Sequence, residues 1–199
     1  MFVFVLAGQS NMAGRGIEEK DDEGKNCILA LQGLGVDSVW KNARDPIHEW
    51  VDNDELRTKC GSFSRSKPGM LNFASKRIVR ISDEIYDGKG VGPGITFGKE
   101  LLEYMKDRKD MTIGLIPTAV GGTAIEHWLP DGNLFNNMLE QTSIGMRLAE
   151  NDGLKPRLAG LLFYQGESDA TSEALAADYE SKLEVLMKNQ LGHVHRCIG

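Results

Sequence analysis

The pentapeptide Gly8-Gln9-Ser10-Asn11-Met12 directly follows an apolar run of Phe, Val, Leu and Ala at residues 2–7. A serine in the tight turn that leaves a parallel strand is exposed at the carboxyl edge of the sheet, where α/β proteins place their ligands. In that position Ser10 could attack a carbonyl carbon. The same residues also suit a plain turn, because Ser and Asn side chains bond readily to nearby backbone. Two more small-polar clusters follow apolar runs. Gly121-Gly122-Thr123 comes after residues 112–119, and Gln165-Gly166-Glu167-Ser168-Asp169 comes after residues 157–164. A glycine pair lets the backbone approach closely and could offer an N–H to a developing oxyanion, although it also fits an ordinary strand-to-helix turn. Gln165 could add an amide donor, whereas Glu167 and Asp169 equally suit the N-terminus of a following helix. If the three runs are parallel strands of one sheet, a hydroxyl, a backbone donor and an amide converge at one edge.

The elements that must hold these clusters are legible in the hydrophobic pattern. Each of the three runs is nearly continuous in apolar residues, as strands buried on both faces of a parallel sheet are. Helical periodicity follows or separates them. Phe97, Leu101, Tyr104 and Met105 share one helical face, as do Phe135, Met138 and Leu139, and again Tyr179, Leu183, Leu186 and Met187. Strands alternating with helices predict an α/β fold with a mainly parallel sheet. A further strand is expected at residues 27–31. The stretch 16–94 is less regular and is expected to line the substrate crevice. With no repeat and no linker, residues 1–199 read as a single domain.

Composition removes several function classes. The chain has 23 basic and 29 acidic residues and a net charge of -6, without a Lys/Arg cluster, which argues against nucleic-acid and anionic-membrane partners. Its three cysteines, Cys27, Cys60 and Cys197, form no CxxC pair, so neither a disulfide framework nor a zinc ribbon is expected. No apolar run approaches the roughly 18 residues of a transmembrane span, and the 2–7 run lacks the basic flank of a signal peptide. A cytoplasmic protein is the resulting expectation. Residues 92–99 superficially suggest a phosphate loop, but the spacing is wrong and Glu100 replaces the Ser/Thr that would hold magnesium. No Gly-x-Gly-x-x-Gly follows a strand. His193, His195 and Cys197 read as a frayed tail rather than a metal site, and neither metal nor cofactor is expected.

Taken in order, Gly8-Gln9-Ser10-Asn11-Met12, Gly121-Gly122-Thr123 and Gln165-Gly166-Glu167 resemble the blocks of the sialate O-acetylesterase-like domain. That group includes carbohydrate esterase family 6 and its plant members, within the SGNH hydrolase superfamily. Gly92-Pro93-Gly94 and Glu126-His127-Trp128 are similar to plant-type members, and the resemblance extends over residues 2–188. It implies a three-layer α/β/α sandwich and a serine esterase that removes acetyl groups from carbohydrate or related esters. It makes Ser10 the nucleophile and assigns the oxyanion hole to the N–H groups of Ser10 and Gly122 and the side chain of Gln165. Asn11, His48, Trp128 and Glu167 become substrate-binding or supporting residues, and His127 a wall of the pocket.

One departure from the family pattern bears on mechanism. The family's base and its orienting acid come from an Asp-x-x-His motif close to the C-terminus, which the tail at 191–199 does not resemble. The chain therefore reads as C-terminally incomplete, and the alternative to an esterase is an inactive isoform that at most binds a sugar ester. Asp45-Pro46-Ile47-His48 repeats the spacing upstream of the glycine block, out of the family's order. It reads as loop structure or a substrate contact, not as the base. A nucleotide-binding α/β protein is a third reading, weakened by the missing phosphate loop.

Overall fold

The computed structural model describes residues 1–16, 24, 27–48, 90–108, 110–130 and 132–198, the side chains of residues 36 and 190–198 excepted. Among them run five strands, β1 (Phe2–Gly8), β2 (Ile28–Gln32), β3 (Val39–Asn42), β4 (Ile113–Pro117) and β5 (Arg157–Tyr164). They form one sheet in the order β3-β2-β4-β1-β5. β1 pairs in parallel with β4 on one side and β5 on the other, and β2 joins β4 in parallel. Only β3 runs antiparallel, returning beside β2. Residues 27–31 are thus a strand shifted by one residue, and β3 is a strand the periodicity does not announce.

Among the described residues four α-helices flank the sheet: α1 (Ser10–Ala13), α2 (Pro93–Tyr104), α3 (Asn133–Asn151) and α4 (Glu173–Ile198). Side chains alternate across β1, so Val3, Val5 and Ala7 face one core with Leu134, Phe135 and Met138 of α3 and Leu186 of α4. Leu6 faces the other core with Ile28, Ile113, Leu115 and Ile95 of α2. Helices on both faces of a mostly parallel sheet make the α/β fold that the strand–helix alternation predicts and the three layers that the family resemblance implies. Pro93 occupies the first turn of α2, where its missing N–H costs nothing. Trp40 of the edge strand β3 is pinned to α3 by Nε1 donating to Gly145 O at 2.9 Å.

Three expectations about burial change. Tyr104 is 86% exposed because α2 ends there, so the helix buries Gly94, Ile95 and Gly98 instead. On α4, Leu186 is buried but Met187 is exposed. β5 is mostly half-exposed rather than buried on both faces, because it borders the sheet among the described strands.

The end of β1 is the tightest backbone approach that bears on the site. Gly8 has φ +129°, and a Cβ built there would lie 2.0 Å from the carbonyl oxygen of Tyr164. Neither the dihedral nor the space admits a side chain. Gly8→Ala is expected to lower stability by about 2 kcal/mol or more, read as a lower urea midpoint at unchanged slope.

Candidate active site

Beyond Gly8 the chain turns, with Gln9 N–H donating to Tyr164 O at 3.0 Å and Gln9 O receiving the N–H groups of Met12 and Ala13. The bonds close the single turn of α1, whose Met12 and Ala13 are buried beside Leu6. Ser10 is its first residue and is half-buried, and the N–H of a first helical residue has no acceptor inside its helix. The turn is fixed from its far side: buried Gln9 accepts a bond from Ser168 Oγ at 2.9 Å through Oε1. Asn11, exposed, donates through Nδ2 to Glu167 Oε1.

β4 continues alongside β1 past its own end. Thr118 sends both its N–H and its hydroxyl to Leu6 O, at 2.9 and 3.0 Å, and Val120 N–H reaches Gly8 O at 3.0 Å. The chain then bends at Gly121 and Gly122, where Gly122 is exposed at φ +75°. Thr123 secures the bend. Its hydroxyl donates to Val120 O at 2.9 Å and accepts from Trp128 Nε1 at 3.2 Å. Trp128 is fully buried and meets the Phe163 ring edge-on, with centroids 5.7 Å apart.

β5 delivers the third turn. Gln165 Nε2 donates to Thr123 O at 2.9 Å and to Asp169 Oδ2 at 2.5 Å. Asp169 is 1% exposed and also accepts the N–H of Ile125 at 3.0 Å. Tyr179 of α4 donates its hydroxyl to Gln165 O at 2.8 Å. Burial, reinforced by the charges of Asp169 and Glu167, raises the pKa of that phenol and keeps it a donor. Lower on α4, Lys182 bonds Glu126 at 2.8 Å. The hydrogen bond lowers the pKa of Glu126 and raises that of Lys182. Their mutual stabilisation is therefore present at neutral pH, fades in acid as Glu126 protonates and fades in strong alkali as Lys182 loses its proton. Both groups are open to solvent, so the pair is weak.

The turns carrying Ser10, Gly122 and Gln165 thus meet within hydrogen-bond reach of one another. Gln165, however, is oriented differently from the amide donor that the family resemblance implies. Both hydrogens of Nε2 are engaged, and Oε1 is buried without a partner. His48 is 1% exposed with Nε2 3.4 Å from Leu6 O, so it packs against β1 near its end. Trp128 likewise supports from within the core. Asn11 and Glu167 remain on the exposed rim. Asp169 opens the short 3₁₀ turn Asp169–Thr171, but its carboxylate bonds Gln165 and Ile125, and the capping place before α4 is taken by Ser172, whose Oγ accepts from Leu175 N–H at 3.3 Å. The segment expected to shape the crevice lies outside the described residues at 17–23, 25–26 and 49–89, as do the side chains of His193, His195 and Cys197. Residues 92–99 form the buried start of α2, not a phosphate loop.

Among the described residues no three His, Cys, Asp or Glu side chains gather to hold a metal ion, and no helix is long and apolar enough to cross a membrane. Sequence reasoning missed Asp169 and Thr123 as organisers. The one available signal is the spacing of Asp169 four residues after Gln165; nothing marks Ile125 as its second partner.

Comparisons with known proteins bear on the family and the fold. A family model described as carbohydrate esterase, sialic acid-specific acetylesterase matches residues 1–195. A probable carbohydrate esterase of Arabidopsis thaliana is 27% identical over 199 residues, covering 94% of this chain and 62% of the relative's length. The chain therefore spans less than two thirds of that relative. Among solved structures, an Arabidopsis thaliana protein superposes with a TM-score of 0.68 at 25% identity, over 98% of this chain and 69% of that one. NanS gives a TM-score of 0.60 at 16% identity, over 98% and 63% of the two chains, a likeness of fold.

Thr123→Val keeps the shape of the side chain but leaves buried Trp128 Nε1 and Val120 O without their partner. A loss of about 1–3 kcal/mol is expected in chemical denaturation. Trp128 fluorescence should shift as the Gly121–Gly122 bend loosens.

Proposed function

The chain belongs to the carbohydrate esterase family of sialic acid-specific acetylesterases, and from that premise we propose that it is a serine esterase acting on acetylated carbohydrates or related esters. The observation that carries this reading is the convergence of the Ser10, Gly122 and Gln165 turns at the carboxyl ends of three adjacent parallel strands. Ser10 Oγ attacks the acetyl carbonyl carbon and gives its proton to a general base. The backbone N–H groups of Ser10 and Gly122 face the oxyanion of the tetrahedral intermediate. Collapse breaks the bond to the sugar oxygen, which leaves with a proton, and acetyl-Ser10 remains. Water then releases acetate and restores the serine. Gln165 contributes by holding Thr123, and with it the neighbouring N–H of Gly122. Asn11 and Glu167 on the rim are suited to bonding sugar hydroxyls. No metal or cofactor enters this chemistry.

A second reading is favoured by the burial of His48 against Leu6 O, which keeps this histidine from serving as the base. In that reading the crevice binds an acetylated sugar without turning it over.

Hydrolysis of p-nitrophenyl acetate separates the two. Turnover that Ser10→Ala abolishes in a folded variant supports the esterase; unchanged turnover removes Ser10 from the mechanism. Saturable binding of an acetylated sugar without acetate release selects the second reading. Gln165→Ala is expected to lower kcat by about 10²-fold with a smaller change in KM. An effect confined to KM would make Gln165 a substrate-binding residue.

A further inference from the structure

We infer that Asp169 is a positioning residue: its buried carboxylate sets the orientation of the Gln165 amide and, through it, the place of the Gly121–Gly122 bend. The inference rests on the esterase reading for its kinetic consequence, but its structural part stands separately. Asp169 is 1% exposed and collects two donors from different loops, Gln165 Nε2 at 2.5 Å and Ile125 N–H at 3.0 Å. The first lies at the end of β5; the second lies 44 residues before Asp169, in the loop after β4. A single carboxylate thereby joins the two loops that flank the serine turn.

The orientation argument is one of donors and acceptors. Thr123 O and Asp169 Oδ2 are both acceptors, so only the nitrogen end of the Gln165 amide can face them. Reversing the amide would set Oε1 against a carbonyl and a carboxylate. The side chain keeps its orientation even though this leaves Oε1 buried with no partner. A buried orphan acceptor is costly, and the two bonds at Nε2, one of them to a carboxylate, outweigh it. The backbone side of the same residue is held independently by Tyr179, so the amide can turn without freeing the strand end. Replacing Asp169 by Asn supplies a donor as well as an acceptor at the same place. An Asn NH2 turned towards Gln165 takes the acceptor away from Nε2, and the bond of the amide to Thr123 O is no longer locked from the other side.

Asp169→Asn, Gln165→Ala and their double variant form the test, assayed with p-nitrophenyl acetate beside Ser10→Ala. Asp169→Asn should lower kcat by up to about 10²-fold with KM nearly unchanged. In the Gln165→Ala background the same substitution should change kcat by less than about threefold, because the residue through which it acts is gone. Multiplicative losses in the double variant would overturn the inference. If the parent chain shows no Ser10-dependent turnover, the esterase reading fails while the structural test still decides. The side-chain amide protons of Gln165, observed by NMR in the parent and in folded Asp169→Asn, should move towards free-amide shifts and exchange faster in the variant. Unchanged shifts and exchange would show that Asp169 does not hold the amide.

Discussion

The parallel pairing of β1 with β4 on one edge and β5 on the other puts the ends of three strands at one level. Leu6 lies opposite Pro117, and Gly8 opposite Tyr164. Parallel registers bring carboxyl ends together, whereas an antiparallel neighbour would have sent one of these turns to the opposite edge. The meeting of the three turns therefore depends on hydrogen bonds that run along the full length of β1. Its place between β4 and β5 also buries Val3, Leu6 and Ala7 completely, between a helix layer on each face. The apolar term that stabilises the core and the geometry that gathers the polar turns have the same source.

Above the strand ends the structure changes from apolar packing to polar bonds. Thr118, Thr123, Gln9 and Asp169 are all buried, and each bonds a different loop or strand end. Burying such groups is unfavourable unless each is satisfied, so the arrangement tolerates few alternatives. An apolar contact would allow the loops to slide; a donor–acceptor pair fixes distance and direction. The region has a fixed floor of buried bonds and an exposed rim made of Asn11, Gly122 and Glu167. That division suits a site in which the reacting atoms must be held while the substrate is admitted from solvent.

α4 closes the region from one side. Tyr179 holds the backbone of Gln165, Lys182 reaches Glu126, and Leu186 enters the core below Trp128. One helix thus contacts the loops after both β4 and β5. The Tyr179 bond is part-buried and keeps a neutral donor, while the Lys182–Glu126 pair is solvent-exposed and screened. The first fixes position; the second adds little beyond direction.

Strand runs, helix faces and the three small-polar clusters are local properties, and the sequence by itself determined them. A strand buried on both faces must be apolar throughout, and a turn at its end must be small or polar, so β1, β4, β5 and the motifs of Ser10, Gly122 and Gln165 are visible in the residue order. What the chain order does not contain is neighbourhood. That β1 sits between β4 and β5, although 105 residues separate Gly8 from Ile113, was decided by tertiary packing. The same holds for the short antiparallel β3, whose exposed Val39 and half-buried Trp40 break the alternation that would reveal it. It holds too for the burial of His48 and Trp128, and for Asp169, whose type and place before a helix suggest a capping charge. Its partners lie across a gap of 44 residues. Only the fold could choose between a solvated helix-end carboxylate and a buried one, because that choice depends on which donors the other loops bring within reach.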